Sequence, residues 1–443
     1  MKYLLIPNTA TSREAILWIG AFEDPGNKRI EILSRIHPPP LPGKWQRWPA
    51  KKAPAKIYYQ RLSLSGLKPG EPYFIRLSVD GKIEAECTIK TLPERLPSSD
   101  QEPFKVLLGS CFSVANDEEG RVGKAFFNLP AGAHPDIKIL SGDQVYLDAP
   151  WHYYLLRTHN QSQLETKLFD HYFRTWTQTP LGFNYLLKKG ANFFSSDDHE
   201  LWNNAPNFTP YVRDSWTEKG RERWLNVAKG LYDVFQTPST ITKFDVAPLS
   251  FMIADTRLNR DEHRKCFMSD ADLNAIHNWI GNLEGPGVLV VGQPVFRERK
   301  GLLGHVSDWS LPDFEQYQDL VRILMGSKKS LVILTGDVHF GRIAWATLPS
   351  GANLVEIISS PLELIHKTAR GNWRPAPSSF PAETISGLPS RSVFTFEKFS
   401  ATYGHFLTIE FSEIAGGVNM AVKVWSMDGE PGGPEPIFQK KIL

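Results

Sequence analysis

Three times along this chain a short apolar run stops on small residues and then presents an acid, a histidine or a phenol. Ile137-Lys138-Ile139-Leu140 ends on Ser141-Gly142 and continues as Asp143-Gln144-Val145-Tyr146. Phe193-Phe194-Ser195-Ser196 runs into Asp197-Asp198-His199-Glu200, and Leu331-Val332-Ile333-Leu334-Thr335-Gly336 runs into Asp337-Val338-His339. Such runs read as strands buried on both faces, and the crevice beyond the carboxyl ends of such strands is where open α/β sheets bind ligands. One Asp after Gly is most often a turn residue or a helix cap. Three such endings point instead to one site fed from three places. Hard oxygen donors with imidazole are a metal's donor set, and the adjacent carboxylates of Asp197 and Asp198 repel one another unless a cation or a buried proton intervenes. A fourth run, Phe104 to Leu108, ends on Gly109-Ser110-Cys111. Alone, that thiol reads as packing; beside Asp143 and Tyr146 it becomes a candidate thiolate donor.

The chain's 443 residues exceed one typical core, so two domains are expected, over residues 1–95 and 104–443. Its 50 basic and 48 acidic residues exclude a nucleic-acid protein with a wholly basic surface, while a local positive pocket stays possible. Only Lys2 precedes Tyr3-Leu4-Leu5-Ile6 before Pro7-Asn8 breaks the run, and no apolar run approaches membrane-spanning length. A cytoplasmic protein without membrane segments is the expectation. Cys87, Cys111 and Cys266, odd in number and sparse, do not make a disulfide framework.

Up to about Leu92 the pattern alternates with period two. Tyr73, Ile75, Leu77 and Val79 lead through Asp80-Gly81 to Ile83, Ala85, Cys87 and Ile89, a hairpin signal in which Cys87 faces the core. Leu67 to Tyr73 resembles the tyrosine corner of a fibronectin or immunoglobulin-like sandwich. A polar, proline-rich stretch from Pro93 to Pro103 separates this part from the next. Beyond it, strands are expected at Phe104 to Leu108, Ile137 to Leu140, Asn192 to Phe194, Ser250 to Ala254, Val288 to Val291, Leu331 to Leu334 and Leu354 to Ile358. Helices are expected near Gln163 to Thr177, Glu218 to Phe235, Asp270 to Leu283 and Asp313 to Met325, with Ser269 placed to cap the third. A long loop is expected from Lys367 to Ser392, followed by strands at Phe406 to Phe411 and Ala421 to Trp425.

Five motifs in order, G-S-C at Gly109 to Cys111, G-D-Q-V-Y at Gly142 to Tyr146, D-D-H-E-L-W-N at Asp197 to Asn203, A-D-T-R-L-N-R at Ala254 to Arg260 and G-D-V-H at Gly336 to His339, resemble the alkaline phosphatase D (PhoD-like) family of calcineurin-like metallophosphoesterases. The resemblance implies an α/β (α+β) fold: a metallophosphoesterase-type β-sandwich flanked by helices and preceded by a small all-β fibronectin/Ig-like domain. It implies ferric iron (Fe3+) on Cys111, Asp143, Tyr146 and His339, with calcium alongside on Asp143, Asp198, Asn203 and Asp337. Asp143 would bridge. Spacing does not separate Asn203 from Asn204, and other divalent metals remain open. Phenolate and thiolate suit trivalent iron, as carboxylate and amide oxygens suit calcium.

The implied activity is metal-dependent hydrolysis of a small phosphoric ester, mono- or diester, by a metal-activated hydroxide at a two-metal site. In it His199 either protonates the leaving alkoxide or braces Asp198. Arg257 is the expected phosphate clamp, a salt bridge to Asp255 or Asp198 being its structural alternative, and Arg260 is a second candidate. Gln293 is placed to support a ligand. His405 and the run Trp151-His152-Tyr153-Tyr154 would line a pocket or pack in the core. Members of the family are typically exported, whereas the expectation from Lys2 to Asn8 is a chain without an export signal. Two alternatives stand beside this reading: a purple-acid-type phosphatase, from which Cys111 and Asp198 differ, and a non-catalytic metal- or phosphate-binding module on the same scaffold. Nothing in the sequence speaks to oligomeric state.

Overall fold

The computed structural model describes residues 2–36, 40–50, 54–150, 152–178, 181–300, 308–363, 373–396, 402–427 and 433–443. Seven strands come first: β1 (Tyr3–Ala10), β2 (Ala15–Ala21), β3 (Ile30–Leu33), β4 (Gln46–Trp48), β5 (Ile57–Leu64), β6 (Pro72–Val79) and β7 (Lys82–Lys90). They form two antiparallel sheets, ordered β1-β2-β5-β4 and β3-β6-β7. The expected hairpin is β6-β7, turning through Asp80 (φ 50°) and Gly81 (φ 81°), a left-handed pair suited to a two-residue hairpin loop. The Tyr73 hydroxyl accepts the Lys68 N–H at 2.8 Å, which is the tie expected of the tyrosine corner. Cys87 is buried, and burial pushes its thiol well above the usual range.

Next come β8 (Phe104–Gly109), β9 (Ile137–Ser141), β10 (Ala191–Ser195), β11 (Ile241–Val246), β12 (Leu249–Ala254), β13 (Gly287–Val290), β14 (Leu331–Thr335), β15 (Arg342–Thr347), β16 (Asn353–Ile358), β17 (Ser379–Phe380), β18 (Arg391–Thr395), β19 (His405–Ile414), β20 (Gly417–Ser426) and β21 (Phe438–Ile442). They build a six-stranded sheet, β10-β9-β8-β19-β20-β21, and an eight-stranded sheet, β11-β12-β13-β14-β16-β15-β18-β17. Within these, β8, β9 and β10 run parallel, as do β12, β13, β14 and β16.

Alternate residues of these strands face opposite layers. Val106, Leu108, Ile137 and Ile139 of the first sheet share one apolar cluster with Phe251, Ile253, Val288, Val290, Val332 and Leu334 of the second, and that cluster continues into Ile75 and Ile89 of the N-terminal strands. On the outer side, Leu107 and Leu140 pack with Leu164, Leu168, Trp176, Trp224 and Leu231, from the helices Gln161–Thr177 and Glu218–Phe235. Met252, Leu289 and Ile333 pack with Ile276, Trp279, Leu320 and Leu324, from the helices Asp270–Gly281 and Tyr317–Met325. Two sheets face to face, each covered by helices, make a four-layer sandwich, and burial on both faces is why the parallel strands read as predominantly apolar runs.

Ser269 caps its helix as expected, accepting the Asp272 N–H at 3.1 Å. The helix expected from Asp313 starts only at Tyr317, because the Ser310 hydroxyl and N–H both bond the Asp313 carboxylate and close a separate 3-10 turn over Leu311–Asp313. The expected loop from Lys367 to Ser392 is interrupted by β17 and by the start of β18, which pair at the sheet's edge; residues 367–372 of it lie outside the described residues. No described helix is long and apolar enough to cross a membrane.

Candidate metal centre

The ends of β8, β9, β10 and β14 converge, and glycine is what lets them. A Cβ on Gly142 would lie 2.6 Å from the Asp197 Cβ, and one on Gly336 would lie 2.3 Å from the Ser110 hydroxyl oxygen. Just past these points the chain turns through left-handed conformations at Cys111 (φ 58°), Asp143 (58°), Asn204 (70°), Asp337 (70°) and His339 (58°). Beyond these, positive φ occurs among the described non-glycine residues only at Asp80, Glu119 and Arg264. Backbone held there costs about 1–3 kcal/mol per residue and gathers at functional sites.

The donors meet in two overlapping groups. Ligand atoms of Cys111, Asp143 and His339 lie within 4.8 Å of one another, as do those of Asp143, Asp198 and His199. Asp143 belongs to both. Its carboxylate is 3.3 Å from the Cys111 sulfur, which also accepts the Ser360 hydroxyl at 3.1 Å; that hydroxyl in turn accepts the His339 N–H at 3.0 Å. The Tyr146 hydroxyl, Asp198 Oδ1, Asn204 Oδ1 and Asp197 Oδ2 are buried and make no hydrogen bond. A buried polar atom left unpaired costs about 1–3 kcal/mol, so such atoms beside the two donor groups call for partners that the protein does not itself supply.

Electrostatics point the same way. Burial, with Cys111 and Asp198 adding to it, holds the Asp143 carboxyl well above its ordinary range. Burial likewise lifts Asp197 to about 7 and Asp198 and Asp337 to about 6, and pushes the Cys111 thiol up to about 12. A multivalent cation at such a cluster replaces protons and deprotonates the thiol. The donors present, thiol, phenol, imidazole, carboxylates and an amide oxygen, fit a pair of ions of unlike hardness.

Asn203 and Asn204, equivalent by spacing, part company in three dimensions. Asn203 is partly exposed and its N–H donates to Asp148 at 2.9 Å. Asn204 is 5% exposed, its N–H donates to Asp198 Oδ2 at 3.1 Å, and its amide oxygen is one of the unpaired buried atoms. His199 stands in the cluster, its Nδ1 2.7 Å from Asp148 and its ring 4.1 Å from the Tyr146 ring. Burial alone would lower its pKa, but Asp148, Asp198 and Asp143 outweigh burial and raise it well above the ordinary value.

The expected phosphate clamp is a correction. Arg257 is fully buried, with Nε 2.6 Å from Asp197, Nη1 and Nη2 at 2.9 and 2.7 Å from the two oxygens of Asp308, and Nη1 also 3.0 Å from the Ala205 carbonyl. Its ion pairs are with Asp197 and Asp308 rather than Asp255 or Asp198; Asp255 accepts only its backbone N–H. Arg260 is equally spent, on the carbonyls of Thr256 and Trp309 and on Gln293. Gln293 supports a candidate ligand as expected, donating to Asp337 at 3.1 Å. Another guanidinium near the candidate ligands is that of Arg297, whose side chain is 24% exposed and lies 4.0 Å from Asp337.

His405 is core, its Nδ1 2.9 Å from the Tyr403 carbonyl. Tyr154 is core as well, bonded to His171, whereas Tyr153 is exposed and Trp151 lies outside the described residues. Glu200 escaped the sequence reading although the spacing Asp197 to Glu200 is that of a capping box. Its carboxylate accepts the N–H groups of Asp143 at 2.8 Å, Gln144 at 2.6 Å and Asp197 at 2.9 Å, tying the ends of β9 and β10 together.

No family model matches the sequence, and no curated protein matches it. Solved structures do match. A structure of PhoD superposes over 99% of this chain and 91% of its own with a TM-score of 0.62 at 15% identity. The purple acid phosphatase PPD1 from yellow lupin (Lupinus luteus) seeds superposes over 97% of this chain and 72% of its own with a TM-score of 0.58 at 12% identity. The chain therefore shares the mixed α/β fold of these two structures, behind an all-β N-terminal part. In that fold it is similar to PhoD along nearly its whole length, which meets the fold expected from the motifs.

Proposed function

We propose that this chain is a PhoD-like, metal-dependent hydrolase of phosphoric esters. The observation that carries the reading is a pair of overlapping donor groups at strand ends of both sheets, Cys111, Asp143 and His339 in one and Asp143, Asp198 and His199 in the other, beside buried, unpaired oxygens of Tyr146, Asp198 and Asn204. Cys111, Asp143, Tyr146 and His339 would hold iron, and Asp143, Asp198, Asn204 and Asp337 a second ion such as calcium. Bound there, a pair of ions supplies Lewis acidity and charge neutralisation for phosphoryl transfer. The chain's own residues do the rest. Glu200 holds the Asp143 turn in place, and Asp148 fixes the His199 ring by its Nδ1 so that the imidazole carries a proton for the leaving alkoxide. Arg297 meets the phosphoryl oxygens in place of Arg257. The test is metal analysis of the purified protein with monoesterase and diesterase assays of the metal-loaded form. Full metal occupancy without turnover on either ester would leave a non-catalytic binding module, and iron with zinc would favour the purple-acid-type reading.

Two outcomes check the parts. Iron-loaded protein is expected to be coloured, since phenolate on ferric iron absorbs visible light; Tyr146→Phe should lose or strongly shift the band, and Cys111→Ala should retain iron less well. Asn204→Ala should lose the second ion where Asn203→Ala keeps it. Unchanged spectra and metal contents would return these side chains to packing roles. For Arg297→Ala, kcat/KM on a phosphomonoester is expected to fall about 10- to 100-fold, the worth of a charged hydrogen bond, with Arg297→Lys in between; wild-type kinetics would remove Arg297 from the site.

A further inference from the structure

A hollow of about 560 Å³ opens directly beside Asn204, walled by Asn207 and Phe208 on one side and by Glu262, His263, Arg264 and Trp309 on the other. That volume is in the range of small-molecule sites. Its walls are fixed by the two arginines withdrawn from the phosphate: Arg257 holds the Ala205 carbonyl, and Arg260 holds the Trp309 carbonyl at 2.9 Å. The Asn204 side-chain amide donates to the Phe208 carbonyl at 3.4 Å, so one loop carries both a candidate ligand and the aromatic wall. Phe208 is 50% exposed, its ring 6.0 Å from that of the half-exposed Trp216, and the Arg264 guanidinium lies 4.4 Å over the Trp309 ring. The acid in the wall, Glu262, is neutralised by both donors of the Arg221 fork. Among the described residues the rest of the lining is two aromatic rings, Phe208 and Trp309, an imidazole, His263, the Arg264 guanidinium and the amides of Asn204 and Asn207.

Resting on the hydrolase reading above, we infer that this hollow receives the alcohol portion of the ester, and that this portion carries a planar aromatic ring, a nucleoside being its natural form. An exposed ring beside a stacked guanidinium is how proteins hold bases without reading their identity, and placing the recognised group next to Asn204 sets the phosphoryl group at the metal ligands. Arg257 and Arg260 then act as positioning residues for the pocket.

The test compares adenosine 5′-phosphate with ribose 5-phosphate, two esters of the same kind of primary alcohol that differ in the base, and adds benzyl phosphate to separate a nucleoside from any aromatic ring. Metal-loaded wild type is expected to favour adenosine 5′-phosphate over ribose 5-phosphate by about tenfold or more in kcat/KM, expressed in KM, and Phe208→Ala and Arg264→Ala are expected to shrink that ratio. Benzyl phosphate matching adenosine 5′-phosphate would assign the hollow to aromatic esters at large, and benzyl phosphate trailing it would assign it to nucleosides. Equal kcat/KM for adenosine 5′-phosphate and ribose 5-phosphate, or a preference untouched by both substitutions, would overturn the inference. If no ester is turned over, the hydrolase reading fails by itself, and calorimetry with the same two phosphates still decides the pocket: tighter binding of adenosine 5′-phosphate, lost in Phe208→Ala, supports it, and equal affinities overturn it.

Discussion

Replacing Asp143 with Asn is expected to lower hydrolysis by more than the roughly 10- to 100-fold that loss of a mere partner of a metal ligand costs, and to release bound metal. Asp143 stands in both donor groups, 3.3 Å from the Cys111 sulfur on one side and in the cluster of Asp198 and His199 on the other, so one substitution weakens both. The fold should survive. Asparagine tolerates the left-handed backbone found at Asp143, and the N–H that donates to Glu200 is unchanged. Metal content by elemental analysis and the denaturation midpoint of the metal-free proteins separate the two effects. Full activity with full metal occupancy in Asp143→Asn would sink the proposed site.

Arg257→Ala is expected to cost about 3–5 kcal/mol of stability, the penalty for stripping a buried charge of its partner. Asp197 and Asp308 would be left buried against each other's charge, and the Ala205 carbonyl would lose a donor. Arg257→Lys should fall between, since an ammonium cannot reproduce the fork that meets both oxygens of Asp308. Chemical denaturation of the metal-free variants measures this directly. A variant of wild-type stability with a raised KM would restore the phosphate clamp expected from the motif and contradict the buried ion network.

The elements legible in the sequence are those whose signal is local. The Asp80-Gly81 turn, the Tyr73 corner and the Ser269 cap are each set by residues within a few positions of one another. The strands of the parallel core were legible because both their faces are covered, so most positions are apolar and buried exceptions such as Lys138 and Asn192 are few, and the glycines before Asp143 and Asp337 stand where strand ends crowd together. β15 escaped because it opens on Arg342, a charge made tolerable inside the sheet by Glu356 at 2.6 Å; β18 escaped because it is nowhere fully buried, lying next to the two-residue edge strand β17, and need not be apolar.

At the site, residue types and spacing by themselves determined which strand ends carry donors and what class of ion those donors suit. Only the tertiary structure decided which side chains are free to act. Asp308 neutralises Arg257 from 51 positions away, Glu200 reaches back 57 positions to Asp143, and a left-handed turn selects Asn204 over its neighbour for the buried place beside Asp198. A guanidinium in a motif grips a phosphate or a carboxylate equally well, and which of the two it finds depends on the charges that folding brings within its reach.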